Sequence, residues 1–305
     1  MVRKTAQQYA AWRASETGLV LPRRGTWRAC AAYPGPYRVA MANLGYQWLL
    51  YALGQNDFAV SRVVWPEDDL LREAEADTLR TLDDNRAARA ADVWFVSVSF
   101  ENDLPHLAGL LRLAGLAPYA DQRREDDPLI VAGGVVPSLN PEPIAALADV
   151  CLLGEGDAAL NPFLAYLRAH DLRPREDFLR GLAEVPNAYV GRFCEPEYLP
   201  DGRLARIKPA AGFRSRLVLP KEKQIDPAIN RTHLHAPHST FGDALLIETA
   251  RGCVQRCRFC AAGHLYLPYR PALPPAASAA RFGQPAVGLV GSNVSSHPQL
   301  DAWLK

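Results

Sequence analysis

Three cysteines fall close together in the segment RGCVQRCRFC: Cys253, Cys257 and Cys260, spaced C-x3-C-x2-C. Thiolates are soft ligands, so thiols clustered in this way in a reducing compartment point to zinc or to iron–sulfur chemistry. A cubane iron–sulfur cluster ordinarily takes one cysteine per iron. Three cysteines on one loop leave one iron without a protein ligand, and that iron can chelate a small molecule and pass it an electron. Zinc is the competing reading, because His264 extends the spacing to C-x3-C-x2-C-x3-H, a tetrahedral Cys3His set. Under that reading the chain is a zinc-stabilised ligand-binding or regulatory module without catalysis. The other cysteines, Cys30, Cys151 and Cys194, are isolated in sequence and read as buried small hydrophobes. His233, His235 and His238 are spaced H-x-H-x2-H in a polar stretch, a weak metal signal that reads as solvated loop.

A loop that does such chemistry needs a buried strand beneath it, and ALLIETARG (244–252) leads directly into the cysteines. A second strand, AVGLVGSN (286–293), follows them. Upstream, short apolar runs alternate with helical patterns. WRACAAYP (27–34), FAVSRVVWP (58–66), DVWFVSVSF (92–100), PLIVAGG (128–134) and DVCLLGEG (149–156) read as strands. NLGYQWLLYALGQ (43–55) and DLPHLAGLLRLAG (103–115) read as helices, and DLLREAEADTLRTL (69–82) has helical content. This alternation predicts an α/β fold with a doubly wound parallel sheet, followed by the first strands of a partial (β/α) barrel. The expected organisation is an N-terminal arm (1–26), an α/β domain (27–175), a hairpin and linker (176–240) and the start of the barrel (241–305). The hairpin comes from YVGRFCEP and RLARIKP around the turn PDG. A short helix is expected in the alanines after residue 271.

The chain has 305 residues, 49% hydrophobic and 22% charged, enough for two domains with proper cores. Its net charge of +1 gives no clear nucleic-acid signal. No apolar run approaches the roughly 18 residues of a membrane span, and the N-terminus lacks the apolar core of a secretory signal. A cytoplasmic location is the expectation, and a disulfide framework does not suit it.

Strand, then C-x3-C-x2-C with Phe259 before the last cysteine, resembles the radical S-adenosylmethionine superfamily. The resemblance implies that Cys253, Cys257 and Cys260 hold a [4Fe–4S] cluster whose open iron binds S-adenosylmethionine. The reduced cluster then cleaves that molecule to a 5′-deoxyadenosyl radical. It implies that the backbone of Phe259 lies near the adenine and that Gly291 stands where the family contacts the methionine amine, although the usual carboxylate is missing there. An electron donor such as flavodoxin or ferredoxin is implied as partner; the substrate is unknown.

Residues 27–165 resemble the cobalamin-binding-like domain that precedes the barrel in one branch of the superfamily, most specifically at Ala-Gly-Gly, Asn-Pro-Glu-Pro and Gly-Glu-Gly. Ser97, Ser99, Gly133, Gly134, Gly154, Glu155 and Gly156 would line the crevice, with cobalamin as the implied ligand and methyl transfer as the reaction. The Asp-x-His-x-x-Gly motif is absent, and His106 sits inside a helical pattern. Cobalamin then binds without a histidine ligand, or the domain is a substrate platform. A full partial barrel needs on the order of 200 residues. The expectation is therefore a fragment with weak activity on its own.

Overall fold

The computed structural model describes residues 2–67, 78–210, 217–273 and 286–304. The stretch 69–77 and the alanines of 274–280, both expected to contain helix, lie outside the described residues. The strands are β1 (Thr17–Gly18), β2 (Trp27–Pro36), β3 (Phe58–Trp65), β4 (Val93–Ser97), β5 (Leu129–Gly133), β6 (Val150–Leu152), β7 (Ala188–Tyr189), β8 (Cys194–Tyr198), β9 (Leu204–Pro209), β10 (Leu234–His235), β11 (Leu245–Arg251), β12 (Arg270–Pro271) and β13 (Val287–Gly291). Six of them form a mostly parallel sheet in the order β3-β2-β4-β5-β6-β7. The pairs β2/β3, β4/β5 and β5/β6 are parallel, and β7 joins antiparallel at the edge.

The sequence forms these strands because the parallel ones are buried on both faces and so are continuous apolar runs. Every residue of β4 (VWFVS) and of β6 (VCL) is buried. The β8/β9 hairpin shows the opposite pattern. It is largely exposed and held by cross-strand ion pairs, Glu197 with Arg206 and Lys208, around a turn in which Gly202 takes φ +83°.

One compact unit comprises residues 1–74, 80–86 and 222–305. The expected N-terminal arm (1–26) contains a helix, Val2–Ser15. Its Tyr9 and Trp12 are buried, and the Trp12 ring stacks on Tyr37 at 4.2 Å. Behind it lies Arg62 of β3, 1% exposed. Its guanidinium meets Glu16 at 2.6 Å and Asp83 at 2.7 Å, and Tyr37 Oη donates to Glu16 at 2.6 Å. The helix Leu44–Gly54 begins at Asn43, whose side chain accepts from Tyr46 N–H.

The same helix corrects the reading of the histidine stretch as solvated linker. Gln47, fully buried, donates to the carbonyls of Met41 and Leu234 and accepts from the N–H groups of His233 and Leu234. His233 stacks on Tyr51 at 4.2 Å and approaches the Ile229 carbonyl through Nε2 at 2.6 Å. β10 pairs with β1. Burial pulls both His233 and His235 below the ordinary imidazole value of 6.5.

The second unit comprises residues 75–79 and 87–221. It takes the helix Arg175–Leu182 and β7 from the stretch expected to be hairpin and linker. Cys151 lies in its core, where burial and then Glu142 push the thiol up. Cys194 is half-buried, and the same causes raise it to about 11. Among the described residues no helix is long and apolar enough to cross a membrane.

Candidate functional site

The cysteine loop leaves the end of β11. That strand runs parallel to β13 in the register Leu245↔Val287 through Ala250↔Gly291, with an irregularity between Glu248 and Ala250. β12 pairs antiparallel with its other edge. Gly291 therefore stands beside the last residues of β11, where a Cβ would lie 3.0 Å from Thr249 Oγ1. Gly252 turns the chain into the loop with φ +77°, and a Cβ there would lie 2.7 Å from the Tyr266 carbonyl oxygen. Only glycine reaches that conformation and that proximity together.

Cys253 and Cys260 are half-buried, and Cys257 is exposed. Cys260 N–H donates to the Cys257 carbonyl at 3.0 Å. Cys260 also caps the short helix Ala261–Leu265, its Sγ accepting from Gly263 N–H at 3.4 Å. A Cβ on Gly263 would lie 3.6 Å from Cys260 Sγ and 3.9 Å from Cys253 Cβ, so the absent side chain leaves space on the face these two cysteines share. Phe259 is 92% exposed. Arg256 takes the left-handed conformation at φ +47°.

Among the described residues no three His, Cys, Asp or Glu side chains are gathered as around a metal ion. The three thiols share a loop without converging. The donor set nevertheless fits an iron–sulfur cluster by its chemistry: three soft ligands on one turn, none sunk in the core, with glycines at the tight points. His264 fits a zinc set less well, since its Nε2 lies 3.3 Å from the Cys257 carbonyl. Tyr269 was missed in the sequence. Its hydroxyl is buried without a partner among the described residues, and burial first, then Cys253, raises its pKa. The aromatic run in HLYLPYR was the available signal.

In the second unit, the ends of β4, β5 and β6 lie side by side and place the other expected site residues. Ser97 pairs with Gly133 in register, and Val98 N–H donates to the Gly133 carbonyl. Gly134, at φ +113°, lets the backbone pass where a Cβ would lie 2.4 Å from the Val98 carbonyl oxygen. Gly133 faces open space. The N–H groups of Ser99 and Phe100 both donate to Asp103 Oδ2, at 3.1 and 2.9 Å. Asp103 was not singled out from the sequence, although it opens the helix Asp103–Leu113, which also holds His106.

Ser138 Oγ accepts from Gly154 N–H at 3.0 Å, and Glu155 N–H donates to the Pro220 carbonyl at 3.0 Å. A Cβ on Gly154 would lie 2.6 Å from Pro220, which covers this turn. Glu155 is buried, and Gly156 begins the helix Gly156–Ala169. The amides of Gly154 and Glu155 are thus committed to the protein rather than free for a phosphate-bearing ligand. The space stays open at Gly133.

Residues 45–191 match the family described as radical SAM proteins, N-terminal. The match bears out the sequence resemblance: this stretch is similar to the N-terminal region of radical SAM proteins. The chain is also 26% identical over 182 residues to an uncharacterized protein of Methanocaldococcus jannaschii, a region that is 59% of this chain and 32% of that protein. A structure of the radical S-adenosylmethionine methyltransferase TsrM from Kitasatospora setae, with tryptophan substrate and the analog aza-SAM bound, aligns with a TM-score of 0.48 and 16% identity. That alignment covers 88% of this chain and 48% of TsrM. The matched regions therefore span a third to a half of these relatives.

Proposed function

We propose that the chain is part of a radical S-adenosylmethionine enzyme in which Cys253, Cys257 and Cys260 bind a [4Fe–4S] cluster. The observation that supports this most is the position of the loop, leaving the end of β11 beside its parallel neighbour β13 with its thiols outside the core. When bound, the cluster and S-adenosylmethionine together supply an electron and a 5′-deoxyadenosyl radical. The protein's part is to hold and orient. Gly252 and Gly263 keep the loop tight, and Gly263 N–H steadies Cys260 Sγ. Phe259 offers a backbone edge to the adenine, and Gly291 of β13 offers one to the methionine end. The substrate acted on is open, and the setting we assign is reducing and cytoplasmic.

Methyl transfer with cobalamin in the crevice of the second unit is the reaction class we propose. Its support is narrower: Gly133 faces open space, while Gly134 packs against Val98 and Gly154 and Glu155 are already engaged. Anaerobic purification with iron, sulfide, zinc and cobalt analysis tests the proposal. Four irons and four sulfides per chain, lost on Cys257→Ala, support it; one zinc per chain instead would sink it.

A further inference from the structure

We propose that Tyr269 is a positioning residue of the cysteine loop: its hydroxyl donates a hydrogen bond to Cys253 Sγ when that sulfur serves as a ligand to iron. The proposal rests on the cluster reading above and concerns how readily the loaded site accepts an electron.

The backbone brings the two residues together. β12 pairs antiparallel with β11 in the register Ala250↔Pro271 and Arg251↔Arg270. Continued by one residue, that register sets Tyr269 opposite Gly252, the residue before Cys253. A Cβ on Gly252 would lie 3.1 Å from Tyr269 Cα, so no side chain stands between the two backbones. The side chains also sense each other. Burial first, and then the charge of a Cys253 thiolate, hold the proton on the Tyr269 oxygen. A phenol that keeps its proton is a donor.

Each group lacks what the other supplies. A buried hydroxyl nearly always finds a partner, because leaving it unmet forfeits its hydration. Among the described residues, only Tyr189 and Tyr269 bury a phenolic oxygen without one, and Tyr189 belongs to the other unit. On the sulfur side, Cys260 Sγ accepts from Gly263 N–H at 3.4 Å, whereas no group among the described residues donates to Cys253. The guanidinium groups nearby are committed to the fold. Arg251 donates to Glu248 and Asn230, and Arg270 donates to the carbonyls of Glu222, Tyr266 and Pro268. Tyr269 is thus a donor without an acceptor, beside a thiol without a donor. A hydrogen bond to a ligating thiolate draws charge off the sulfur, which favours the reduced state and raises the potential.

The test compares the wild-type 305-residue chain with Tyr269→Phe, both reconstituted anaerobically with iron and sulfide. Before reconstitution the two should melt at the same temperature, since the hydroxyl removed has no partner among the described residues. In a redox titration followed by electron paramagnetic resonance, the ratio of reduced to oxidised cluster at a fixed poise should fall about tenfold in the variant. That is a downward shift of ~59 mV for one electron. Electron–nuclear double resonance in deuterated buffer should show an exchangeable proton coupled to the wild-type cluster and missing from the variant. 3-Fluorotyrosine at position 269, a stronger donor of similar shape, should move the ratio the other way. A Tyr269→Phe chain that loads four irons with wild-type potential and proton couplings overturns the proposal and leaves the cluster reading standing. Where Tyr269→Phe fails to load, an unshifted 3-fluorotyrosine form overturns it equally. A wild-type chain that takes up no iron sinks the cluster reading, and the proposal with it.

Discussion

Replacing Gly252 by alanine probes how tightly the fold fixes the cysteine loop. Two costs add. The backbone sits at φ +77°, a region that costs a residue with a Cβ about 1 kcal/mol. The new Cβ would also lie 2.7 Å from the Tyr266 carbonyl oxygen, 3.1 Å from that of Pro268 and 3.1 Å from Tyr269 Cα. These are backbone atoms, so the contact is relieved only by moving the loop, an overpacking cost of about 1–3 kcal/mol. The total is roughly 2–4 kcal/mol. Gly242, in the same unit, isolates the first cost: its φ is +58°, and an added Cβ meets nothing within 4 Å. Equilibrium urea denaturation of the metal-free protein, followed by circular dichroism, should show Gly242→Ala losing about 1 kcal/mol and Gly252→Ala two to four times as much. Equal losses at the two positions would refute the claim that the loop is packed against residues 266–269.

Three further outcomes follow from the same structure. Arg62→Met leaves the buried carboxylates of Glu16 and Asp83 without their cation and should cost about 3–5 kcal/mol by urea denaturation; a loss below about 1 kcal/mol contradicts the paired arrangement. His233 and His235 are held neutral by burial, below the unfolded value of 6.5, so the stability they confer is present above that pH and is lost as pH falls through it. The urea midpoint should therefore fall between pH 7 and 5, and His233→Gln combined with His235→Gln should flatten that slope. Asp103→Ala frees the N–H groups of Ser99 and Phe100, and amide hydrogen exchange at those two positions should accelerate at least tenfold while β4 is unaffected.

The parallel strands were legible because burial on both faces writes a continuous apolar run. WRACAAYP (27–34) and PLIVAGG (128–134) each appear in the fold within a residue or two of the expected ends, while DVWFVSVSF (92–100) stops three residues early, at Ser97. The helix Leu44–Gly54 was legible from its amphipathic pattern. The pairing of Thr17–Gly18 with Leu234–His235 was not, since two-residue strands carry no period and only tertiary contacts, here those of Gln47, specify them. The helix Val2–Ser15 was missed because its buried side is narrow, with Tyr9 and Trp12 among polar neighbours.

At the site, the spacing of the cysteines and the strand before them could be read directly. The surroundings could not. The stretch around Pro220 that covers Gly154 is distant in sequence and has no composition of its own, and a glycine after a strand looks the same whether it faces a ligand or a proline. Asp103 likewise reads as an ordinary helix-start residue until the loop folds back onto it.

The claim that three thiols leave one iron open to S-adenosylmethionine is tested most directly by electron paramagnetic resonance. The chain is reconstituted with iron and sulfide, reduced with dithionite, and its spectrum is recorded with and without S-adenosylmethionine. A reduced [4Fe–4S] signal whose g-values shift when S-adenosylmethionine is added, and which is abolished in Cys257→Ala, is the predicted result. A cluster spectrum indifferent to S-adenosylmethionine, or a chain that takes one zinc through His264 and gives no signal, would contradict the account.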